Sequence, residues 1–254
     1  MPERDIAVRN EAAPWSDFDA DGYSKVNYET IFPEDAEIIR FASKFLVDAF
    51  ACRPVARRAV DVGAGPNLYP ALLMLPWAEQ ITLTEYAQSN IAWLRDNLSD
   101  VAGEWPWQPF WDSMADLPDY RNVTDPRSRL AASHDVLTCS IFDLPKQAWG
   151  LGSMFFVADG LSSDVAEFES AVLSFIDALT PGAPFMMAFM EGSTGYDVSG
   201  VWFPAVQVTR QSLDALLAEL PVTDTAVLRT DNSVRALRPG YSAMLLVIGY
   251  VSND

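Results

Sequence analysis

Three residues in two short segments have the types and spacing of a small-ligand site. Gly63 and Gly65 follow the apolar segment 58–62, and Glu85 ends the next apolar segment, 80–85. Two glycines let the backbone turn sharply and approach a ligand without an intervening Cβ atom, and the N-terminus of a following helix offers unpaired N–H groups. A carboxylate at the end of the neighbouring strand can accept both hydroxyls of a ribose. The spacing therefore predicts a nucleoside site, and the alternative is a tight turn without a ligand.

The glycine loop departs from the dinucleotide-binding fingerprint at two positions. Leu68 stands where the third glycine would be, and Pro66 lacks the N–H group that a pyrophosphate would use. A nucleoside cofactor without phosphates fits this loop better. S-adenosyl-L-methionine is such a cofactor, and aromatic side chains can hold its sulfonium through cation–π contacts. A nicotinamide-dependent oxidoreductase is the disfavoured alternative, and a cofactor-binding protein without activity is a third hypothesis.

Strands and helices alternate along the chain on both sides of this loop. Apolar runs bounded by turn residues predict strands at 58–62, 80–85, 135–140, 153–159, 184–191, 225–230 and 243–251. Apolar residues at helical spacing predict helices at 33–51, 89–98, 164–179 and 210–220. Asp164 and Glu167, at the start of the third of these helices, resemble a capping box. The order predicts an α/β fold, a Rossmann-like, doubly wound, seven-stranded and mostly parallel sheet with one antiparallel strand, plus an N-terminal helical arm.

The sequence predicts a single domain over residues 1–254. Residues 1–52 would form an arm and a helix that cover the cofactor, and residues 53–254 would form the Rossmann-like core. Within the core, residues 101–134 are an insertion rich in tryptophan and proline. We expect a hairpin and loops there, because prolines interrupt every longer apolar pattern.

Charge and composition disfavour several classes of function. The chain has 17 Lys and Arg against 35 Asp and Glu, a net charge of −18 that repels the phosphates of nucleic acids. One histidine, His134, and two distant cysteines, Cys52 and Cys139, fit neither a metal site nor a histidine-based triad. Without a long apolar run or a secretory signal, a cytoplasmic protein is expected. The expected partner is a small-molecule acceptor, with no nucleic acid, membrane or metal, and the expected state is a monomer or homodimer.

Six stretches in order resemble motifs of one enzyme family. They are FDADGYSKVNYETIF, DVGAGPNLY, LTEYAQSN, WPWQPFWD, FFVADGL and LTPGA, and they cover most of residues 18–195. The ordered set resembles the class I S-adenosylmethionine-dependent methyltransferases. More narrowly, it is similar to the branch with the nicotinamide, phenylethanolamine, thioether and indolethylamine methyltransferases. The resemblance implies S-adenosyl-L-methionine as the cofactor and methyl transfer as the activity.

The resemblance also implies which residues bind the cofactor. The arm tyrosines, Tyr23 and Tyr28, would close over it. Glu85 would accept the ribose hydroxyls, and Asn90 would lie beside the cofactor. The predicted cofactor-binding residues are Tyr23, Tyr28, Gly63, Ala64, Gly65, Tyr69, Glu85, Tyr86, Asn90, Ser140 and Ile141.

The adenine end departs from the family pattern. The family commonly has Cys-Asp after the third strand, and the acid takes the adenine amino group. Here the pair is Cys139-Ser140. Adenine contacts are therefore expected from Ser140, Ile141 or Asp143, and the sequence does not choose among them.

The acceptor side departs from the family pattern as well. Phe189 holds the place of the family's substrate-side acid, and Glu191 follows two residues later. An amine or ring nitrogen needs no dedicated base and is the favoured acceptor, in specialised metabolism. A hydroxyl or carbon acceptor would need a base, and Glu191 is the candidate, with a solvated loop carboxylate as the alternative interpretation. Tyr23 is a second candidate catalytic residue, and the predicted substrate-binding residues are Asp159, Ser193, Tyr196 and Trp202.

Overall fold

A seven-stranded sheet forms the centre of the structure, a computed structural model that describes residues 7–99, 105–230 and 238–253. The strands are β1 Ala56–Val62, β2 Ala78–Glu85, β3 His134–Thr138, β4 Gly152–Phe155, β5 Pro184–Glu191, β6 Gly195–Val198, β7 Val201–Pro204, β8 Val222–Arg229 and β9 Ala243–Val251. The sheet has the order β3-β2-β1-β4-β5-β9-β8, while β6 and β7 form a separate hairpin. Among the described strands of the sheet, β9 alone runs in the direction opposite to the others. The predicted seven-stranded sheet with one antiparallel strand is confirmed.

Helices cover both faces of this sheet. They are α1 Ala20–Tyr28, α2 Pro33–Phe50, α3 Tyr69–Met74, α4 Gln88–Ser99, α5 Gln108–Asp112, α6 Pro118–Arg121, α7 Pro126–Ser133, α8 Val165–Ala178 and α9 Arg210–Glu219. The four predicted helices correspond to α2, α4, α8 and α9. None of the helices in the described ranges is both long and apolar enough to cross a bilayer.

The central strand β5 shows why the sequence forms a two-sided core. All eight of its residues are buried, and successive side chains of a strand point to opposite faces. One set packs with α8 and α9, and the other packs with α2 and α3. A strand covered on both faces reads as a continuous apolar run rather than an alternating one. The two sets are Phe185, Met187 and Phe189, and Met186, Ala188 and Met190.

The predicted hairpin in the insertion is wrong. In its described part, residues 105–134, the chain forms three short helices, α5 to α7, ahead of the start of β3. Each of these helices has a proline at its first or second residue: Pro109, Pro118 and Pro126. Proline at that position lacks only an N–H that the helix would leave unpaired, so it favours a helix start. Three of the four prolines in the described part of the insertion therefore mark helix starts, and Pro106 lies in the turn before α5.

The hairpin β6–β7 is an element that the sequence prediction missed. It turns at Ser199 and Gly200, whose φ angles are 51° and 88°. A hairpin with a two-residue loop commonly has a turn in which both central residues have positive φ angles. The segment YDVSGVWF does carry that signal, because β-forming residues flank a Ser-Gly pair.

Candidate active site

A cleft opens at the carboxyl ends of β1, β2 and β4, where the strand order reverses. This is the usual ligand position in an open α/β sheet. The cleft contains about 860 Å³ of empty space, part of it at the open mouth. Its wall includes Asn10, Trp15, Phe18, Tyr23, Tyr28, Gly63, Ala64, Gly65, Glu85, Tyr86, Asn90, Cys139, Ser140, Ile141, Phe156, Gly160, Leu161 and Tyr196.

Glu85 joins the glycine loop to the end of β2. Its Oε1 accepts hydrogen bonds from the backbone N–H groups of Tyr86 and Ala87, at 2.7 and 2.8 Å. Its Oε2 accepts from the N–H of Gly65 at 2.9 Å and, more weakly, from Asn90 Nδ2 at 3.3 Å. Burial raises the pKa of the Glu85 carboxyl, and these four donors oppose that shift by favouring the charged form. The carboxylate is thus buried, held in place and still part of the cleft wall.

The glycine loop leaves room for a ligand beside this carboxylate. Gly63 and Gly65 have φ angles of +64° and +52°, in the left-handed region that favours glycine. A Cβ atom on Gly65 would stand 3.8 Å from both Glu85 Oε2 and Asn90 Nδ2, in the space between loop and acid. Asn90 Oδ1 is buried there without a hydrogen-bond partner in the described structure. Two acceptor groups and a cradle without side chains fit the hydroxyls of a ribose.

The N-terminal segment packs over one side of the cleft. The N–H of Asn10 donates to Glu167 Oε2 at 2.8 Å, and the N–H of Val8 donates to Ser163 Oγ at 2.8 Å. The predicted capping box is therefore wrong: Asp164 caps α8 by accepting from Ala166, and Glu167 binds the arm instead. These bonds fix residues that contribute Asn10, Trp15 and Phe18 to the cleft wall.

Aromatic rings line the end of the cleft that lies next to the hairpin. Phe18 lies 5.2 Å from Tyr23 and 5.2 Å from Phe203, measured between ring centroids. Tyr196 stacks on Phe203 at 5.4 Å, and its hydroxyl donates to the carbonyl of Gly160. The arm is joined to the hairpin a second time by Ser199 Oγ, which donates to Asp19 Oδ2 at 2.5 Å. One end of the cleft is thus polar and fits a nucleoside, and the other is a wall of aromatic rings.

The sequence profile of the NNMT/PNMT/TEMT family matches residues 8–238. The chain belongs to the NNMT/PNMT/TEMT family. It is an S-adenosyl-L-methionine-dependent methyltransferase, as the sequence motifs implied, and S-adenosyl-L-methionine is the cofactor. None of the curated proteins matches the chain.

Several solved methyltransferase structures share the fold. A putative S-adenosylmethionine-dependent methyltransferase from Listeria monocytogenes is 8% identical, with 87% of this chain and 100% of that one covered, at a TM-score of 0.54. A methyltransferase from Methanosarcina mazei is 11% identical, with 82% and 98% covered, at 0.52. The 1,6-didemethyltoxoflavin-N1-methyltransferase of Burkholderia thailandensis, solved with its namesake compound and S-adenosylhomocysteine, is 14% identical, with 86% and 80% covered, at 0.50. At these identities the likeness shows the fold.

Most of the predicted cofactor-binding residues lie on the wall of this methyltransferase cleft, and Tyr69 does not. Tyr69 is fully buried at the start of α3, behind Tyr28, with 6.1 Å between their ring centroids. Its hydroxyl donates to Asp35 Oδ1 at 3.3 Å. In this methyltransferase Tyr69 therefore supports the cleft wall from behind. The predicted residues on the wall itself are Tyr23, Tyr28, Gly63, Ala64, Gly65, Glu85, Tyr86, Asn90, Ser140 and Ile141.

Asp35 makes the stability of the ligand-free protein depend on pH. Burial raises the pKa of the Asp35 carboxyl to about 7, and the hydrogen bond from Tyr69 only partly opposes this. A raised pKa means that the folded state favours the protonated Asp35 carboxyl. The stability that this carboxyl contributes is complete below its pKa in the unfolded chain, and it is lost as the pH rises through about 7. We expect Asp35→Asn to gain stability relative to wild type between pH 4 and 8, by at most about 4 kcal/mol.

The measurement is urea unfolding of the ligand-free protein at several pH values. Other buried acids titrate in both proteins, so only the difference between variant and wild type is interpreted. Asp48→Asn changes an exposed carboxylate of the same helix, α2, and is the matched control. A difference curve for Asp35→Asn as flat as that of the control would contradict the assignment.

Among the four predicted substrate-binding residues, only Tyr196 lines the cleft. Asp159 is fully buried behind the wall: its Oδ2 accepts from the N–H of Met190, and burial raises its carboxyl pKa to about 6. Ser193 is fully buried and donates to the carbonyl of Gly195, and Trp202 is 51% exposed on the outer side of the hairpin. The structure therefore places three of the four predicted substrate-binding residues away from the ligand space.

Glu191, the predicted base, lies outside the cleft at the end of β5. Its Oε2 accepts from Arg229 Nε at 2.7 Å and from Ser242 Oγ at 2.8 Å. Burial acts to raise the pKa of the Glu191 carboxyl, but these donors outweigh it and the pKa lies below its ordinary value. A carboxylate in an ion pair with a lowered pKa is a poor proton acceptor. The position of Glu191 therefore fits a structural ion pair that joins β5 to β8.

Two kinds of site residue were absent from the sequence prediction. Trp15, Phe18 and Phe156 belong to the aromatic wall; Phe18 and Phe156 stand in two of the family-like stretches, FDADGYSKVNYETIF and FFVADGL, and no motif marks Trp15. Arg238 lies behind Tyr23 and donates to its hydroxyl, across 215 positions of sequence. A lone arginine beside a Pro-Gly turn carries no local signal of such a contact.

Proposed function

We propose that this methyltransferase transfers the methyl group to a nitrogen atom of a small, flat acceptor, either an amine or a ring nitrogen. The observation that carries the proposal is the lack of a free base: among the described residues of the cleft wall, Glu85 is the single carboxylate. Both of its oxygens accept hydrogen bonds from the protein. A neutral nitrogen attacks with its lone pair and needs no base, whereas a hydroxyl or carbon acceptor must first lose a proton.

Three other titratable groups of the wall support the same proposal. Burial raises the pKa values of the Tyr28 and Tyr196 hydroxyls, and it raises the pKa of the Cys139 thiol. These groups hold their protons at neutral pH, so they favour donation of a hydrogen bond over acceptance of a proton. Asp159, which has a raised pKa, is separated from the acceptor space by the wall at Gly160.

In this proposal, the chain binds and orients its ligands and excludes water from them. S-adenosyl-L-methionine supplies a methyl group already activated by its sulfonium. The glycine loop and Glu85 fix the nucleoside end, and the rings of Phe18, Tyr23 and Tyr196 offer flat surfaces to an acceptor and negative faces to a cation. The arm, bonded to α8 and to the hairpin, excludes water from the reacting atoms.

The arm also supports the proposed domain organisation. We propose one methyltransferase domain in which residues 1–52 cover the cofactor, because Asn10, Tyr23 and Tyr28 line the cleft from that side. The proposed acceptor is a free small molecule of specialised metabolism in the cytoplasm. The net charge of −18 disfavours a nucleic acid acceptor.

A panel of ring compounds with matched shapes tests the proposal. Pyridines, anilines and phenols that share their substituents are incubated with the protein and methyl-labelled S-adenosyl-L-methionine, and the products are identified by mass spectrometry. Label on the nitrogen of a pyridine or aniline, with none on the matched phenol, is the expected result. Label on phenols alone would contradict it. Binding of S-adenosylhomocysteine without turnover of any panel member would favour the alternative of a non-catalytic cofactor-binding protein.

Replacing Glu191 separates the proposal from base-assisted methylation of oxygen or carbon. We expect Glu191→Gln to leave kcat and the acceptor KM within about twofold of wild type. The free energy of unfolding of this variant should be about 1 kcal/mol lower than that of wild type, because the ion pair with Arg229 is lost. Steady-state kinetics and urea unfolding measure the two effects. A kcat lower by about a hundredfold, the usual contribution of a general base, would favour the alternative.

A further inference from the structure

Arg238 is a buried cation one side chain away from the cleft. The residue is 6% exposed, and its Nη2 donates to the hydroxyl oxygen of Tyr23 at 2.9 Å. Its guanidinium lies 4.3 Å from the centre of the Tyr196 ring. Tyr23 and Tyr196 both line the cleft, and Arg238 lies behind them.

The charge of Arg238 has no counter-ion in the described structure. No carboxylate of the described residues lies within 4.0 Å of its nitrogen atoms, and its Nη1 is buried without a hydrogen-bond partner. Asp159 acts on it electrostatically from beyond that distance. The Tyr196 ring compensates part of the charge through a cation–π contact. Because an unpaired buried charge is costly, the arrangement favours an anion that a ligand brings into the cleft.

The hydrogen bond from Arg238 decides how Tyr23 faces the ligand. A guanidinium can only donate, so the Tyr23 oxygen is the acceptor of this bond. Tyr23 therefore keeps its own O–H as a donor, on a side chain that lines the cleft. Tyr28 lies beside it, with 6.1 Å between the two ring centroids, and burial raises the pKa of Tyr28. Tyr28 therefore keeps its proton at neutral pH, and the Tyr23 hydroxyl is free to donate to the missing anion.

Building on the proposed function, we propose that Arg238 is a positioning residue which holds the Tyr23 hydroxyl as a donor to the carboxylate of the cofactor. Its charge is the counter-ion of that carboxylate. S-adenosyl-L-methionine carries a single carboxylate, on the amino-acid end away from the adenosine that Glu85 is placed to bind. Tyr23 lines the same cleft as Glu85, so one ligand can reach both. Hydrogen bonds to a charged acceptor are about twice as strong as neutral ones, and a nearby cation strengthens them further.

Two ligands that differ in the amino-acid end test this inference. S-adenosylhomocysteine has the carboxylate, and 5′-methylthioadenosine has the same nucleoside without it. Isothermal titration measures both Kd values for wild type, Arg238→Met, Tyr23→Phe and the double variant. We expect each single variant to weaken binding of S-adenosylhomocysteine by about 10- to 100-fold, with 5′-methylthioadenosine changed by less than about twofold. The double variant should bind no more than about twofold weaker than the weaker single variant, because the two residues act as one unit.

An exposed arginine supplies the control for the loss of charge. Arg40→Met removes an exposed guanidinium from α2 and should leave both Kd values unchanged. Retained binding of 5′-methylthioadenosine shows that each variant is folded. If Arg238→Met does not fold, Tyr23→Phe decides the question with the same ligand pair, because Arg238 itself is intact in that protein.

Each other outcome overturns the inference. Equal weakening of the two ligands would leave the ratio of their Kd values unchanged and would show a merely structural role for Arg238. Unchanged Kd values for both ligands would show no role of Arg238 toward the carboxylate. A raised acceptor KM with unchanged affinity for S-adenosylhomocysteine would assign the anion to the acceptor instead. If wild type binds both ligands equally well, this inference alone fails. If wild type binds neither, the proposed function fails and this inference fails with it.

Discussion

Glu85→Ala is expected to weaken binding of S-adenosylhomocysteine by at least about a hundredfold. The substitution removes the carboxylate that is placed to accept two ribose hydroxyls, and a hydrogen bond to a charged group contributes about 1.5–3 kcal/mol. It also leaves the buried N–H groups of Gly65 and Ala87, and the part-buried N–H group of Tyr86, without their acceptor. The loop that approaches the ligand is then no longer held to the end of β2. Isothermal titration of the purified variant measures the loss.

Two further variants separate the ribose contact from general damage. Glu79→Ala removes an exposed carboxylate from the same strand and should bind S-adenosylhomocysteine within about twofold of wild type. Glu85→Gln keeps the side-chain size and one acceptor oxygen, so its affinity should lie between those of wild type and the alanine variant. An unchanged affinity in Glu85→Ala, or an equal loss in the Glu79 control, would remove Glu85 from the site.

Gly63→Ala is expected to cost about 2–4 kcal/mol of unfolding free energy and to abolish cofactor binding. The φ angle of +64° disfavours any residue with a Cβ atom. The new Cβ would also stand 2.6 Å from Val157 Cγ1 and 2.8 Å from Cγ2, so the loop must shift. Overpacking of this kind typically costs about 1–3 kcal/mol. Urea unfolding and titration with S-adenosylhomocysteine give the two readouts.

Two comparison variants divide this cost into its two causes. Gly200→Ala places a Cβ at a φ of +88° with no atom within 4 Å, so it reports backbone strain without a clash. Adding Val157→Ala to Gly63→Ala relieves the clash and should recover part of the stability. If Gly63→Ala is no worse than Gly200→Ala, the close approach of the loop to Val157 is wrong.

The features that the sequence predicted are those with local causes. Gly63, Gly65 and Glu85 are recognisable because their chemistry depends on the end of a strand and the turn that follows it. The sheet was predictable for a similar reason, since apolar runs such as PFMMAFME are long enough to be strands and are separated by helical patterns. The strand ends then bring the two segments together without any further information.

The features that the sequence did not predict depend on contacts between distant residues. Tyr69 matches a cofactor-loop motif, yet its ring is turned behind Tyr28 by a hydrogen bond to Asp35, 34 positions earlier. Glu191 has the right residue type for a base, but Arg229 and Ser242 reach it from two other elements. The hydrogen bond between Arg238 and Tyr23 likewise joins two residues that are far apart in the sequence. Residue type and spacing identify candidates for chemistry, and only the packing of separate elements decides which candidates face the ligand.

The crystal structure of the complex with S-adenosylhomocysteine is the most direct test of the central claim, that the cleft between the glycine loop and Glu85 holds the adenosine. We predict that the ribose hydroxyl oxygens lie about 2.5–3.0 Å from the Glu85 carboxylate, with the adenine against Ser140 and Ile141. Displacement of the weak bond from Asn90 by a ribose hydroxyl is part of this prediction. A nucleoside bound elsewhere, or a ribose that makes no contact with Glu85, would contradict the account.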